Sequence, residues 1–158
     1  MELAEQNNNL VQLLDDLVKI NCERIEGYNI AHETMRDNKD LKSIFRERIH
    51  QSENFILDLK ELISKRGGEK GKLAHISGKI FNTWMNFKNT FKSNKNASIL
   101  DNCEFGENVA VKVYDEALKS DTEIPADIRQ KIIDQQNEIK KSHDFIKKFR
   151  DFNLDLTA

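Results

Sequence analysis

Apolar side chains recur every three or four positions along the first part of the chain, a spacing that places them on one face of an α-helix. One such stripe predicts a helix over about 8–36, and a second predicts a helix over about 41–65. The turn "DNKD" between them is short, so these two helices are expected to pack antiparallel. The predicted inward positions are Leu10, Leu13, Leu14, Leu17, Ile20, Tyr28, Ala31 and Met35, then Leu41, Phe45, Ile49, Ser52, Ile56, Leu59 and Ile63.

The last third of the chain repeats this pattern and predicts a second antiparallel hairpin. Its helices are expected over about 98–119 and 125–151, and Pro125 suits the first turn of the later one. The tail "FNLDLTA" is expected to fray. The predicted core positions are Ile99, Cys103, Gly106, Ala110, Tyr114 and Ala117, then Ile128, Ile132, Ile139 and Ile146.

About thirty residues connect the two hairpins, starting from the glycine-rich "KRGGEKG" that ends the second helix. Within them Ile76, Ile80, Trp84 and Phe87 are helically spaced, which predicts a short helix over 76–92. Two hairpins joined by one long crossover form the ferritin-like arrangement of a four-helix bundle. We therefore expect an all-α protein with a single domain over 1–158.

Composition supports a helical protein and narrows its partners. The chain is 38% hydrophobic and 33% charged, with one proline and six glycines. A sheet of many strands usually needs more of these turn-forming residues. A net charge of −2 does not favour nucleic-acid binding. There is no apolar run of membrane-spanning length, no signal-peptide pattern and no CxxC pair, so we expect a cytoplasmic protein and no membrane association.

The crossover carries an unusual concentration of positive charge, because Lys70–Leu100 contains six lysines and no acidic residue. Aromatic and basic residues alternate there, which can indicate a membrane-surface helix or a docking surface for an acidic partner. We favour an apolar face that covers the bundle while the lysines stay in solvent. If the face is uncovered, self-association as a homodimer is expected. The surface consists of Lys79, Phe81, Trp84, Phe87, Lys88 and Phe91.

A di-metal site is the chemistry that this fold class suggests first. It needs inward glutamates on two helices and an ExxH on each of the other two. The one ExxH, Glu47 to His50, has the right spacing but faces away from the apolar stripe. Lys140 stands where a second ExxH would need its glutamate before His143. The remaining candidate ligands for iron or manganese are Glu26, Glu53, Glu104, Glu107 and His143, although Glu26 also turns outward on a regular helix.

The position of Arg24 on the buried stripe of the first helix favours a bundle interior without metal ions. A guanidinium there would repel metal ions and could bind Glu107 through two parallel hydrogen bonds. We therefore prefer a buried hydrogen-bond network without a cofactor to a metal centre. Its expected members are Asn21, Arg24, Tyr28, Ser52, Glu107, Gln136 and His143.

Three runs carry a resemblance to a known family: "ERIEGY" at 23–28, "CEFGENVAVKVYDEAL" at 103–118 and "HDFIKKFRD" at 143–151. They resemble a family of bacterial ferritin-like four-helix-bundle proteins, a domain of unknown function. The resemblance implies descent from carboxylate-bridged metal bundles such as rubrerythrin. The residues that match the family's pattern are Glu26, Glu104, Glu107 and His143. Arg24 and Asn108 depart from it, where members often have glycine and aspartate.

These observations lead to two expectations for function. The first is a non-enzymatic helical bundle that acts through protein–protein contacts, as a homodimer or with another partner. The alternative is a metal-binding redox or stress protein that uses the candidate carboxylates and His143.

Overall fold

The computed structural model describes residues 2–35, 37–67 and 97–157, without the side chains of 97, 98 and 153–157. These residues form four helices and no strand, which confirms the all-α prediction. The predicted crossover helix at 76–92 and its basic aromatic surface lie outside the described residues. The four helices are α1 (Glu2–Thr34), α2 (Lys39–Lys65), α3 (Ala97–Lys119) and α4 (Ala126–Thr157).

Two helix ends differ from the sequence-based expectation. Helix α1 begins at Glu2 rather than near residue 8. Its acidic Glu2 and Glu5 lie in the first turn, where the positive end of the helix dipole stabilises negative charge. Helix α4 continues to Thr157, so the prediction of a frayed tail is wrong. No glycine or proline follows Pro125, and nothing in the local sequence ends the helix earlier.

Helices α1 and α2 form one antiparallel hairpin. Near the start of α1, the Asn7 side-chain nitrogen donates to the Arg66 carbonyl oxygen at 2.9 Å. At the other end of the hairpin, the Tyr28 and Phe45 rings lie 5.7 Å apart. Gly67, with φ of 73°, follows the end of α2, as the glycine-rich sequence there predicts.

The two hairpins pack side by side so that α1 is antiparallel to α3 and α2 is antiparallel to α4. Helices α2 and α3 consequently run in the same direction. The chain leaves α2 at the end of the bundle where α1 begins, and it enters α3 at the opposite end. The contacts that define these directions are Arg24–Glu107 and Asn21–Tyr114 between α1 and α3, and Gln51–Ser142 and Phe55–Gln135 between α2 and α4.

The predicted apolar stripes meet in one core between the four helices. Leu14, Leu17, Phe45, Ile132 and Ile139 are completely buried. Truncating such a side chain to alanine usually costs about 2–5 kcal/mol, since it removes apolar burial and leaves a cavity. Packing of this kind, rather than helix propensity, therefore holds the four helices in place around the polar residues described below.

The turn between α1 and α2 depends on one capping residue. Asn38 has an extended backbone, and its side-chain oxygen accepts a hydrogen bond from the Leu41 backbone nitrogen at 3.1 Å. We expect Asn38→Ala to lower the free energy of unfolding by about 1 kcal/mol, because it leaves that donor without its partner. Asn38→Gly should lower the free energy of unfolding by only a few tenths of about 1 kcal/mol, since glycine is tolerated at this position. Urea unfolding of the two variants measures the difference, and equal stability would contradict the capping role.

Candidate functional site

A buried ion pair joins α1 to α3 near the middle of the bundle. Arg24 presents one edge of its guanidinium to Glu107: Nε donates to Oε1 at 2.5 Å and Nη2 donates to Oε2 at 2.8 Å. The residues are 3% and 1% exposed, so water does not screen the pair. Both carboxylate oxygens of Glu107 are therefore occupied by a cation that belongs to the protein.

The ion pair continues into a chain of hydrogen bonds that reaches all four helices. Arg24 Nη1 donates to Ser52 Oγ at 2.8 Å, and Ser52 Oγ donates to Asn21 Oδ1 at 3.0 Å. Asn21 Nδ2 donates to the Tyr114 hydroxyl oxygen at 2.8 Å, and that hydroxyl donates to Gln135 Oε1 at 2.7 Å. We call these six residues the buried network: Asn21, Arg24, Ser52, Glu107, Tyr114 and Gln135.

The direction of the hydrogen bonds makes the buried network self-consistent. Ser52 and Tyr114 each accept one hydrogen bond and donate another, and Asn21 uses both ends of its amide. Asn21 also returns a hydrogen bond to the Leu17 carbonyl oxygen at 2.8 Å. Buried polar groups that are paired in this way avoid the large cost of burial without a partner.

The same burial alters the acid–base properties of the groups around the ion pair. Burial alone would lower the pKa of Arg24, but the adjacent Glu107 outweighs it and raises that pKa. Burial raises the pKa of Tyr114 and of the Cys103 thiol, and Glu107 adds to the effect on Cys103. Arg24 therefore stays charged, while Tyr114 and Cys103 stay neutral at ordinary pH.

Tyr28 is buried beside the network but forms no hydrogen bond to it. Its hydroxyl oxygen has no hydrogen-bond partner within the described residues. The guanidinium carbon of Arg24 lies 5.6 Å from the centre of its ring, so Tyr28 contributes a cation–π contact. Burial, followed by the charge of Glu107, raises the pKa of Tyr28 well above 10.

Tyr28 was also expected in the network, and two further expected members lie elsewhere. Gln136 donates to the Val111 carbonyl oxygen at 3.1 Å and to Asp115 Oδ1 at 2.6 Å, which makes it a separate α3–α4 contact. His143 is half-buried beside Glu104, with Nε2 3.4 Å from Glu104 Oε1. The prediction that Gln136 and His143 belong to the network is wrong, because both face the α3–α4 groove.

Tyr114 and Gln135 belong to the buried network instead, and the sequence indicated this only in part. Tyr114 lay on the predicted core face, and a buried tyrosine usually needs a hydrogen-bond partner for its hydroxyl. Gln135 and Gln136 are adjacent polar residues at the edge of the α4 stripe. Which of them turns toward α2 depends on where α2 lies, and Gln135 does so at 3.4 Å from the Phe55 carbonyl oxygen.

A family model described as Domain of unknown function (DUF2383) matches residues 9–120, which is most of the chain. The chain belongs to this family. No curated protein matches it. The description of DUF2383 names no activity.

Glu104 forms a second polar cluster in this DUF2383 chain, at the end of the bundle where α3 begins. One of its carboxylate oxygens binds Arg150 Nη1, and the other lies near His143. Arg150 also contacts Asp101 at 3.0 Å. The Glu104, His143 and Arg150 side chains are 15–19% exposed, so this cluster is partly buried, although less completely than the buried network.

The candidate metal ligands do not form one centre. Glu26 is exposed on α1, and the Glu53 side chain is 56% exposed on α2. Glu107 binds Arg24, and Glu104 binds Arg150. Across the described residues, no three His, Cys, Asp or Glu side chains come together as a metal group. These residues therefore do not fit a carboxylate-bridged di-metal site.

The ExxH of α2 lies on the surface, as the sequence predicts, whereas the position of Glu53 differs from the expectation. The His50 side chain is 75% exposed and lies 3.8 Å from Glu53, on the surface of α2. Glu47 is exposed as well, as its position on the helical wheel predicts. Glu53 was a candidate ligand for an inward metal site, but Ser52 takes the inward position next to it. One residue corresponds to a rotation of about 100°, which is enough to move a carboxylate into solvent.

Among the residues that the structure describes, two surface clefts stand out, and no residue of the buried network lines either of them. The larger, about 610 Å³, lies at the α3–α4 turn between Leu3, Arg66 and Ile124. The smaller, about 290 Å³, lies between α1 and α3 beside Asp16 and Glu116. Among the described helices, none combines the length and apolarity needed to cross a membrane.

The ion pair should dominate the response of stability to mutation. We expect Glu107→Ala and Arg24→Leu each to lower the free energy of unfolding by about 3–5 kcal/mol, because each leaves an unpaired charge in the core. The double variant Arg24→Leu/Glu107→Leu should recover most of that loss, since neither charge remains. Urea unfolding of all three measures this difference. Glu53→Ala is the matched surface control and should change stability by less than about 0.5 kcal/mol.

The two tyrosines should resist ionisation until the protein unfolds. Both are buried with raised pKa values, and they are the only tyrosines in the chain. The unfolded state loses these protons above a pH of about 10 while the folded state keeps them, so stability falls as the pH rises beyond that point. Absorbance at 295 nm should stay flat until circular dichroism reports loss of helix. Tyrosinate formation in the folded protein would contradict the burial of Tyr28 and Tyr114.

Proposed function

We propose that this protein is a ferritin-like four-helix bundle that acts without enzymatic chemistry, through contacts with other protein surfaces. The ferritin-like assignment is supported by the parallel directions of α2 and α3. A chain that leaves one end of a bundle and re-enters at the other needs one long crossover, which is the hallmark of that arrangement.

The observation that carries the proposal is the position of Arg24. Its guanidinium occupies both oxygens of Glu107, the most deeply buried of the candidate carboxylates. A metal ion at Glu107 would have to displace an internal cation and leave Arg24 buried without a partner, at a cost of several kcal/mol. The interior is consequently arranged for stability and helix register rather than for ligand exchange.

The surface offers features suited to contacts between proteins. Leu3, Leu57 and Phe152 are large apolar residues that are 81%, 66% and 61% exposed. They lie among charged side chains on different helices, where a binding partner could cover them. On this proposal, the buried residues stabilise the fold and the exposed residues bind other proteins.

Metal content tests the proposal directly. Protein from cells grown with added iron, manganese and zinc should contain far less than one ion per chain when measured by plasma mass spectrometry. Near-stoichiometric metal that is lost in Glu107→Ala/His143→Ala and retained in Glu53→Ala would overturn the proposal. If the Glu107 variant does not fold, Glu104→Gln/His143→Gln provides the same comparison, because these residues lie outside the core.

A further inference from the structure

The outer face of α4 carries a charge pattern with an unusual symmetry. Asp127, Asp134, Lys141 and Lys148 follow one another at intervals of seven residues, and all four are exposed. A seven-residue interval drifts by only about 20° per step on a straight helix, so the four side chains form one stripe. The stripe is acidic in the first half of α4 and basic in the second.

We propose that this stripe pairs with the same stripe of a second copy of the chain, as an antiparallel contact between the two α4 helices across a two-fold axis. The axis would pass between Asn137 and Glu138, the midpoint of the pattern. Asp127 of each copy then faces Lys148 of the other, and Asp134 faces Lys141. The result is four ion pairs along about 31 Å of helix.

Charge complementarity favours a second copy over other occupants of this face. An acidic partner or an anionic lipid surface would suit Lys141 and Lys148, but the same helix face would present Asp127 and Asp134 to it. A two-fold contact resolves this conflict, because an isologous interface places each half of a surface against the other half.

Aromatic side chains add apolar area to the basic half. Phe145 and Phe152, also seven residues apart, are 44% and 61% exposed next to Lys141 and Lys148. In the proposed register, Phe145 faces Gln130 of the other copy and Phe152 faces Glu123, near the α3–α4 turn. Burial of exposed phenylalanine supplies affinity, while the charges fix orientation and register.

The charges of the stripe are free to change partners. Lys141 pairs with Glu138 on its own helix at 3.1 Å, with both side chains largely exposed, and Asp134 accepts from Gln130 at 2.9 Å. Such solvent-exposed contacts within one helix are weak. In the part of the chain that the structure describes, Asp127 and Lys148 form no ion pair.

This inference deepens the proposed function by naming the partner and the surface, and the two can fail separately. Metal content tests the interior, whereas molecular mass tests the α4 stripe. A metal-binding chain could still dimerise through α4, and a metal-free chain could remain monomeric.

Charge reversal with rescue tests the dimer. Light scattering and sedimentation should show a dimer for the unmodified chain, weakened by added salt. Lys141→Glu/Lys148→Glu makes the stripe entirely acidic, and Asp127→Lys/Asp134→Lys makes it entirely basic. Each variant alone should raise the dimer dissociation constant by about a hundredfold or more. An equimolar mixture of the two should form a heterodimer, because all four pairs become attractive again.

A matched control separates position from net charge. Lys140→Glu/Lys147→Glu changes the net charge by the same amount on the same helix, but these exposed residues lie beside the stripe. It should remain dimeric, and circular dichroism should show every variant to be helical. The inference is overturned if the unmodified chain is monomeric up to the highest attainable concentration. It is also overturned if the stripe variants behave like the control, or if mixing them restores no dimer.

Discussion

The Arg24–Glu107 ion pair is the interaction on which the interior of this bundle depends. Two charges removed from water are tolerated only if their geometry is good and their remaining hydrogen-bonding atoms are satisfied. The two-point contact meets the first condition, and the hydrogen bond from Arg24 to Ser52 helps to meet the second. Because both residues lie on rigid helices, the pair also fixes how far α1 can slide along α3.

This constraint separates the structural and the interacting parts of the molecule. Within the bundle, the apolar layers and the buried network bind all four helices through contacts that leave no carboxylate of the network for an external cation. Outside it, the charges of the α4 stripe stay in contact with water, where partners can be exchanged. The Glu104 cluster lies between these extremes, because its side chains are only 15–19% exposed. The proposed functions follow this division: a closed interior that sets helix register, and a charged exterior that sets which surfaces can meet.

The sequence predicted the buried faces of the helices well, and its errors have a common origin. Helical periodicity placed Asn21, Arg24, Ser52 and Glu107 toward the core, where the structure has them. It misplaced residues at the edges of the stripes, among them Glu53, His143 and the choice between Gln135 and Gln136. An edge residue is buried or exposed according to which neighbouring helix lies beside it and at what angle, and periodicity within one helix contains no such information.

By itself the sequence determined the existence of the four main helices and their inward faces, because both follow from interactions between residues three or four positions apart. Only the tertiary structure decided which polar groups would meet. Tyr114 and Gln135 join the buried network because the four helices lie at particular heights and directions relative to one another. Hydrogen bonds across a bundle require agreement to within a fraction of an ångström, and only the packed assembly of all four helices defines positions that closely.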